Sequence, residues 1–176
     1  MNQRTDEELV ASYRAGEERA ADELVTRLAT PLGRFLYSAG AYPGEVEDLV
    51  QESFYKAFRA LEGWRGDSSF KTWLFRIGTN LARDAHRRRK GREWVAIEDH
   101  DVADPADPEG ETGANELEER LMAELERLPR LQREVFLLRA QQGLEYQEIS
   151  EALGTTPGSA RVHYHHAVKR LKELAR

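Results

Sequence analysis

The residues best suited to chemistry lie near the C-terminus, in residues 157–176. Apolar spacing there predicts a helix whose buried face carries Ala160, Tyr164, Ala167, Leu171 and Leu174. The outward positions carry Arg161, Val162, His165, His166, Lys169 and Lys172. Arginine can donate two hydrogen bonds to guanine O6 and N7, and valine can pack on a thymine methyl group. Lysine instead neutralises phosphates, which positions a protein on DNA without reading its sequence. The helix is therefore a candidate reader of duplex DNA.

The segment before this helix strengthens that interpretation. Residues 146–153 have the spacing of a short helix, and Gly154 is suited to the left-handed turn that ends one. Thr156 is a candidate N-cap, and Pro157 is a favourable first helical residue. A short helix, a glycine turn and a basic second helix form the helix-turn-helix pattern. An ordinary helical hairpin with a charged rim is the alternative, and the clustered positive charge favours DNA binding.

Two further polar stripes occur in the first half of the chain. Arg76, Asn80, Arg83 and Arg87 recur at helical spacing beside the apolar positions of Phe70, Trp73, Ile77 and Leu81. Taken alone, this stripe is equally typical of solvated surface, and Trp73 is expected in the core. A second stripe consists of Asp48, Gln51, Glu52 and Tyr55. It lies on a different face from the apolar positions of Leu49, Phe54, Ala57 and Leu61.

Charge is distributed unevenly along the 176 residues, whose formal net charge is -6. Residues 93–119 contain eleven acidic residues and no lysine or arginine, whereas the rest of the chain has 26 basic and 21 acidic residues. Basic blocks at residues 83–92 and 157–176 flank this acidic segment. Because phosphate binding depends on local charge, the acidic total does not argue against a nucleic-acid partner.

Several function classes are disfavoured by composition. The chain has no cysteine, which rules out disulfides, thiol catalysis and zinc-thiolate sites and fits a reducing, cytoplasmic compartment. No apolar run approaches the ~20 residues of a spanning helix, and residues 1–8 lack the apolar core of a signal peptide. His163 and His166 are three residues apart without a matching carboxylate, so we expect no metal. We find no nucleophile-base pair or phosphate loop, and therefore expect no cofactor and no catalytic residue.

The helical period runs through the whole chain, and no segment has the alternation of a strand, so we predict an all-α protein. A first helix is expected from Thr5 or Asp6 to Ala15, and a second over residues 17–28 with a restart at Pro31. The acidic segment also contains prolines and glycines and cannot bury enough apolar surface to offset its ordering entropy. We therefore predict two small helical domains, residues 1–90 and 115–176, joined by a flexible acidic linker, residues 91–114.

Four segments in this order resemble the two-domain RNA polymerase sigma factors of the extracytoplasmic-function (ECF) group. Residues 47–54 (EDLVQESF) are similar to the core-binding helix of sigma region 2. Residues 66–77 (GDSSFKTWLFRI) resemble the loop and helix that read the −10 element. Residues 128–136 and 146–154 resemble region 4. In that group the recognition helix commonly carries Lys or Arg, Ser and Arg, whereas this chain has Arg161 and Val162 followed by histidines.

The resemblance implies a role for each matched residue. Core polymerase, through its β′ and β subunits, would be bound by Asp48, Gln51, Glu52 and Tyr55. The melted −10 strand would be held by Asp67, Ser68, Ser69, Phe70, Lys71, Arg76, Asn80, Arg83 and Arg87. The −35 duplex would be read by Thr156, Ser159, Arg161, Val162, His165, His166 and Lys169. An anti-sigma factor is an implied partner, and no membrane insertion is expected.

A stand-alone transcriptional regulator with a C-terminal helix-turn-helix is the alternative function. It predicts tight duplex binding without polymerase, and it gives no reason for the stripe of Asp48 and Gln51. The histidines add a separate hypothesis, because protonation of His163, His165 and His166 below neutral pH would add positive charge beside DNA phosphates.

Overall fold

The computed structural model describes residues 3–96 and 114–174. All regular structure within these ranges is helical, which confirms the predicted all-α class. The helices, in chain order, are α1 Asp6–Arg14, α2 Glu18–Ser38, α3 Val46–Arg59, α4 Phe70–Ala96, α5 Ala114–Glu126, α6 Arg130–Ala140, α7 Tyr146–Leu153 and α8 Pro157–Leu174. Helices α1–α4 form a first unit and α5–α8 a second. Short 3₁₀ turns, Pro43–Glu45 and Leu61–Gly63, precede and follow α3.

The predicted restart at Pro31 is wrong, because α2 continues through this proline as one helix of 21 residues. A proline inside a helix removes one backbone hydrogen bond and costs about 3 kcal/mol. Leu24 and Leu28 precede it, and Leu32 and Phe35 follow it, on a single buried face. Burial of this uninterrupted apolar stripe offsets the cost of the proline, since a fully buried leucine or phenylalanine contributes roughly 1.5–3 kcal/mol.

The first unit has an aromatic core in which α4 lies very close to α2 and α3. Phe35 and Phe75 meet with ring centroids 5.5 Å apart. Gly78 permits the approach, because a Cβ atom at this position would lie 3.0 Å from Leu32 Cδ1 and 3.2 Å from Ser53 Oγ. Ser53 is fully buried and satisfies its hydroxyl by donating to the carbonyl of Leu49 at 2.6 Å. The glycine therefore fixes the spacing of α4 from its neighbours.

The second unit has a smaller, aliphatic core. Helices α6, α7 and α8 pack together around Val135, Leu138 and Ile149, which are fully buried. Helix α5 carries leucines at positions 117, 121 and 125, of which Leu125 is buried whereas Leu117 is 74% exposed.

The helix bounds differ slightly from the predicted domain limits. Helix α4 extends to Ala96, six residues beyond the predicted end of the first domain, and α5 starts at Ala114. Residues 97–113, which contain most of the predicted acidic linker, lie outside the described residues. The division into residues 1–90, 91–114 and 115–176 stays a prediction.

Candidate nucleic-acid interface

The helix-turn-helix is built as the sequence predicts. Gly154 ends α7 with φ +69°, a left-handed conformation that glycine adopts without steric cost. The hydroxyl of Thr156 then accepts a hydrogen bond from the Ser159 N–H at 3.1 Å, so Thr156 caps α8. Ala160 and Ala167 have no exposed surface and let α8 lie close to α6 and α7. The turn and the small residues together fix the direction of α8.

The predicted −35 residues emerge on α8 and its cap as one accessible set. Val162 is 53% exposed, which is unusual for an apolar side chain because no neighbouring residue of the described structure covers it. Ser159 is half-buried, and the other members are exposed: Thr156, Arg161, Val162, His165, His166 and Lys169. An accessible arginine can donate to a guanine edge, and an accessible valine can pack on a thymine methyl group.

Tyr146 positions this arginine, and sequence reasoning missed it. The Arg161 guanidinium lies over the Tyr146 ring, 5.3 Å from its centroid, and that of Arg139 lies 4.8 Å from the same centroid. The tyrosine ring is also T-shaped against Tyr164. Cation–π attraction of this kind limits the rotamers of the Arg161 side chain. No local pattern indicates it, because the two residues are fifteen positions apart.

The loop before α4 is held from two sides. Ser69 is the N-cap of α4, since its Oγ accepts from the Thr72 N–H at 3.1 Å. Glu7 of α1 accepts from the Phe70 N–H at 3.3 Å. Asp67 is exposed, Ser68 and Ser69 are half-buried, and Phe70 is fully buried. Phe70 therefore supports the loop from below and offers no open ring face to a base.

An aromatic group stands beside this loop. The Trp64 and Trp73 rings are stacked at 6.0 Å, and Phe70 meets each of them edge-on at about the same distance. Trp73 is partly buried, in agreement with its expected place near the core. Arg14 braces Trp64 by donating to its carbonyl at 2.8 Å and by lying over its ring. The Nε1 of Trp64 is buried without a hydrogen-bond partner.

The basic stripe of α4 is accessible in part. Arg76, Asn80 and Arg87 are exposed, and Arg87 pairs with Asp84 one turn away. Lys71 and Arg83 are half-buried, because the second unit lies against them. Burial lowers the pKa of the Lys71 ammonium from its usual value, and the carboxylates of Asp6 and Glu148 partly offset that effect. On α4, three residues of the predicted −10 set are therefore exposed, and the other two, Lys71 and Arg83, are half-buried against the second unit.

The α3 stripe is fully accessible and borders an apolar groove. Asp48, Gln51, Glu52 and Tyr55 are all exposed, and Tyr55 accepts a hydrogen bond from Arg59 at 2.9 Å. Sequence reasoning missed the groove beside the stripe. Its walls come from α2 and α3, and they include Val25, Ala29, Val46, Val50 and Phe54. The spacing of Val46 and Val50, four residues apart, indicates the α3 wall of the groove. The facing wall on α2 is not visible in the sequence, because it depends on how the two helices pack.

Within the described residues, no group of histidine and carboxylate side chains is arranged to hold a metal ion. No helix in residues 3–96 or 114–174 is both long and apolar enough to cross a membrane.

The fold and its accessible faces define a two-part promoter-recognition factor of the sigma-70 type. Residues 24–92 match the family described as Sigma-70 region 2, and residues 118–171 match Sigma-70, region 4. The first match covers most of α2 and all of α3, and the second covers the helix-turn-helix. The resemblance seen in four short segments is therefore confirmed along both units.

Relatives that match along most of the chain show to which group of sigma factors it belongs. The chain is 34% identical over 169 residues to the ECF RNA polymerase sigma-E factor of Haemophilus influenzae, covering 90% of this chain and 89% of that protein. It is 33% identical over 175 residues to the RNA polymerase sigma-H factor of Pseudomonas aeruginosa, covering 92% and 89%. The chain belongs to the ECF group of RNA polymerase sigma factors, which act in promoter-specific transcription initiation.

Two solved structures have a similar fold over most of this chain. CnrH, solved in complex with the cytosolic domain of CnrY, has a TM-score of 0.74 and 29% identity over 97% of this chain and 96% of that one. The sigma factor RpoE of Bartonella quintana, solved with the anti-sigma factor NepR, has a TM-score of 0.72 and 25% identity over 88% and 95%.

Proposed function

We propose that this sigma factor divides its work among three helix faces. The α3 stripe binds the β′ clamp helices of core polymerase, the α4 stripe with loop 67–70 holds the melted −10 strand, and α8 reads the −35 duplex. One observation carries the proposal: the matched residues emerge on three separate faces, each backed by a buried apolar stripe. That backing gives each polar face a fixed orientation, which recognition of a rigid partner requires.

The polymerase contact is supported by chemistry that suits a protein partner. Asp48 and Glu52 supply charge, Tyr55 supplies an amphipathic ring, and Gln51 supplies both a donor and an acceptor. The apolar groove beside them gives this surface a desolvated centre with a polar border, the usual anatomy of a protein interface. A duplex-binding regulator has no use for such a face on a helix outside its helix-turn-helix.

Recognition of the −10 element requires that a base leave the stack, which costs a few kcal/mol. Ser68 offers a hydroxyl to such a base in the loop, whereas the hydroxyl of Ser69 is used to cap α4. Arg76, Asn80 and Arg87 offer hydrogen bonds and positive charge to the strand that continues along α4. The buried Phe70 and the stacked tryptophans hold the loop in place beneath the base.

The −35 element is read by α8 in the major groove. Arg161 and Val162 contact base edges, whereas Thr156, Ser159 and Lys169 contact phosphates near the helix N-terminus and along the flank. His165 and His166 lie further along the same accessible set.

The factor supplies no catalytic chemistry, and the polymerase forms the phosphodiester bonds in the cytoplasm. An anti-sigma factor is a further partner in this proposal, because one structural neighbour of similar fold was solved with such a protein.

Run-off transcription with purified core polymerase tests the proposal. The wild-type chain is expected to direct a promoter-dependent product. The double substitution Asp48→Ala and Gln51→Ala is expected to lose most association with core polymerase, because it removes the centre of the exposed stripe. Glu119→Ala, an exposed carboxylate on α5, is the matched control and should behave as wild type.

Two outcomes would contradict the proposal. One is a transcription assay in which the chain adds no promoter-dependent product to core polymerase. The other is tight, specific duplex binding without polymerase together with unaltered behaviour of the double variant, which would support a stand-alone regulator. Urea unfolding followed by tryptophan fluorescence checks that the first unit of the double variant remains folded, since Trp64 and Trp73 lie in that unit.

A further inference from the structure

A cavity of about 320 Å³ lies where the end of α2, the middle of α4 and the start of α6 meet. The Pro43–Glu45 turn and the first residues of α3 complete its walls. Helix α6 belongs to the second unit, so both units contribute to the lining. Pockets for small molecules commonly measure ~300–1,000 Å³ and occur preferentially between two units of a protein. The cavity therefore has the size and the position of a small-molecule site.

The part of the lining that comes from the first unit is largely apolar. Phe35, Leu36 and Leu49 are buried residues of this lining. Four alanines also border the cavity, namely Ala39, Ala41, Ala82 and Ala85. Because alanine side chains are short, these positions leave space that larger apolar residues would fill. Such a surface favours the apolar body of an organic ligand over a hydrated ion.

Positive charge is concentrated around the same cavity. The lining includes four arginines and two carboxylates, namely Arg83, Arg89, Arg130, Arg133, Glu45 and Glu134. Glu134 pairs with Arg83, and Glu45 pairs with Arg89. Arg130 Nε lies 4.0 Å from Glu134, which is beyond hydrogen-bond range. Arg133 donates to the backbone carbonyls of Glu126 at 2.9 Å and Ala39 at 3.4 Å. Two guanidinium groups are thus in surplus over the carboxylates of the lining.

The surplus charge lies on one face of α6. Arg130 and Arg133 are three residues apart, so their side chains emerge on the same side of the helix. Arg130 is also the first residue of α6, and Pro129, at the N-cap position, provides no side-chain cap. The N-terminal end of a helix carries partial positive charge. An anionic group is therefore favoured at this wall both by the two guanidinium groups and by the helix.

Three of the lining side chains have a buried polar atom without a hydrogen-bond partner in the described part of the chain. These atoms are Thr79 Oγ1, Arg83 Nε and Arg133 Nε. Thr79 is only 2% exposed. Most buried polar atoms in proteins have a partner, and a donor that lacks one carries a desolvation cost. A ligand with acceptor oxygens can supply the partner that such a donor lacks.

Tyr42 gives the cavity an aromatic border. The Arg89 guanidinium lies 3.7 Å from the centroid of the tyrosine ring, and it pairs with Glu45 at 2.7 Å. These contacts hold Tyr42 beside the apolar lining, while 57% of the residue stays exposed. An accessible ring in a fixed position suits a flat aromatic ligand, since aromatic pairs attract each other beyond their burial of area.

We propose that this cavity binds a small organic anion that consists of an aromatic ring carrying one phosphate or carboxylate group. The ring packs against the alanines and Tyr42, and the anionic group accepts charge-assisted hydrogen bonds from Arg130 and Arg133. Thr79 donates its hydroxyl to an oxygen of the ligand. Because the walls come from both units, one bound molecule contacts both. The site does not depend on the assignment of the three recognition faces, although Arg83 also belongs to the α4 stripe.

Calorimetric titration of the full chain with α-naphthyl phosphate tests the site. We expect one molecule to bind per chain with a Kd below about 1 mM. Inorganic phosphate and α-naphthol each provide half of the ligand and should bind at least about tenfold more weakly. In α-naphthoic acid a carboxylate replaces the phosphate, so the tighter of the two anions identifies the preferred anionic group. Failure of both aromatic anions to bind at this concentration would overturn the proposal.

Two substitutions in the first unit locate the ligand. Ala82→Leu fills the cavity and should abolish binding, whereas Ala123→Leu, at an exposed alanine of α5, is the matched control. Thr79→Val keeps the shape of the side chain and removes the hydroxyl. It should weaken binding several-fold without lowering stability in urea, because the hydroxyl has no partner to lose. Wild-type affinity of a folded Ala82→Leu chain would place the ligand elsewhere and overturn the site.

Charge substitutions on α6 test the anionic half of the ligand. Arg130→Gln and Arg133→Gln should each weaken binding of α-naphthyl phosphate about tenfold and leave that of α-naphthol unchanged. Arg130 is exposed, so its substitution does not disturb the packing of the helix. Arg127→Gln is the matched control, since Arg127 is an exposed arginine of the same unit that pairs with Glu124. Equal losses in all three variants would show a response to net charge alone and would overturn the site.

Discussion

Helices α4 and α8 are the two long basic helices of this sigma factor, and they begin in the same way. Ser69 caps α4 and Thr156 caps α8, each by accepting a backbone N–H at 3.1 Å. They differ in what their arginines already contact. Arg83 of α4 pairs with Glu134 of the other unit, whereas Arg161 of α8 lies over Tyr146 of its own unit. The residues on a helix face thus set its chemistry, and the neighbouring elements set its availability.

The largest expected effect is a loss of stability in the unit that contains α4, with no effect on DNA binding by α8. Gly78→Val places a branched side chain where a Cβ atom already meets Leu32 and Ser53, so it should destabilise the first unit by about 3 kcal/mol. Urea unfolding followed by tryptophan fluorescence measures this, since all three tryptophans lie within residues 64–94. Binding of −35 duplex by α8 should persist in the variant.

Gly91→Ala is the matched control in the same helix. No atom lies within 4 Å of the Cβ it would add, so the better helix propensity of alanine should stabilise α4 by roughly 0.5–1 kcal/mol. Equal effects of the two substitutions would show that close packing at Gly78 does not position α4.

Arg161→Ala tests whether α8 reads the base sequence of the −35 duplex. Loss of a base-edge contact should weaken binding to the preferred −35 duplex by about 2 kcal/mol, roughly 30-fold in Kd. Lys169→Ala should instead weaken binding to all duplexes alike and reduce the dependence of log Kd on log salt by about one unit. Titrations against preferred and altered duplexes at several salt concentrations distinguish the two. Identical profiles for both variants would contradict direct readout by Arg161.

The two caps provide a smaller and symmetrical test. Ser69→Ala and Thr156→Ala should each lower the free energy of unfolding of their unit by about 1 kcal/mol, because each leaves a helix N–H unsatisfied. Aspartate at either position restores the cap and the stability, but it places a negative charge where phosphate should bind. We expect Thr156→Asp to be stable and weak toward −35 duplex. A Thr156→Asp variant with wild-type affinity would show that the start of α8 does not approach DNA.

Local features of the fold were predictable because they depend on neighbouring residues. The left-handed Gly154, the Thr156 cap and the short helix before them all occur as the spacing indicated. Pro31 was misjudged, because the local cost of a proline is visible in the sequence and the compensating burial of α2 is not. The exposure of Leu117 was likewise hidden, since helical periodicity marks an apolar face but not whether anything covers it.

The sequence by itself determined that the chain is helical, where its helices cap and end, and which three faces carry polar chemistry, because each of these depends on residues within a few turns. Only the tertiary structure decided which of those faces is free. The pairs Arg83 with Glu134 and Arg161 with Tyr146 join residues far apart in the chain, and a contact of this kind exists only when packed helices bring both side chains to one place.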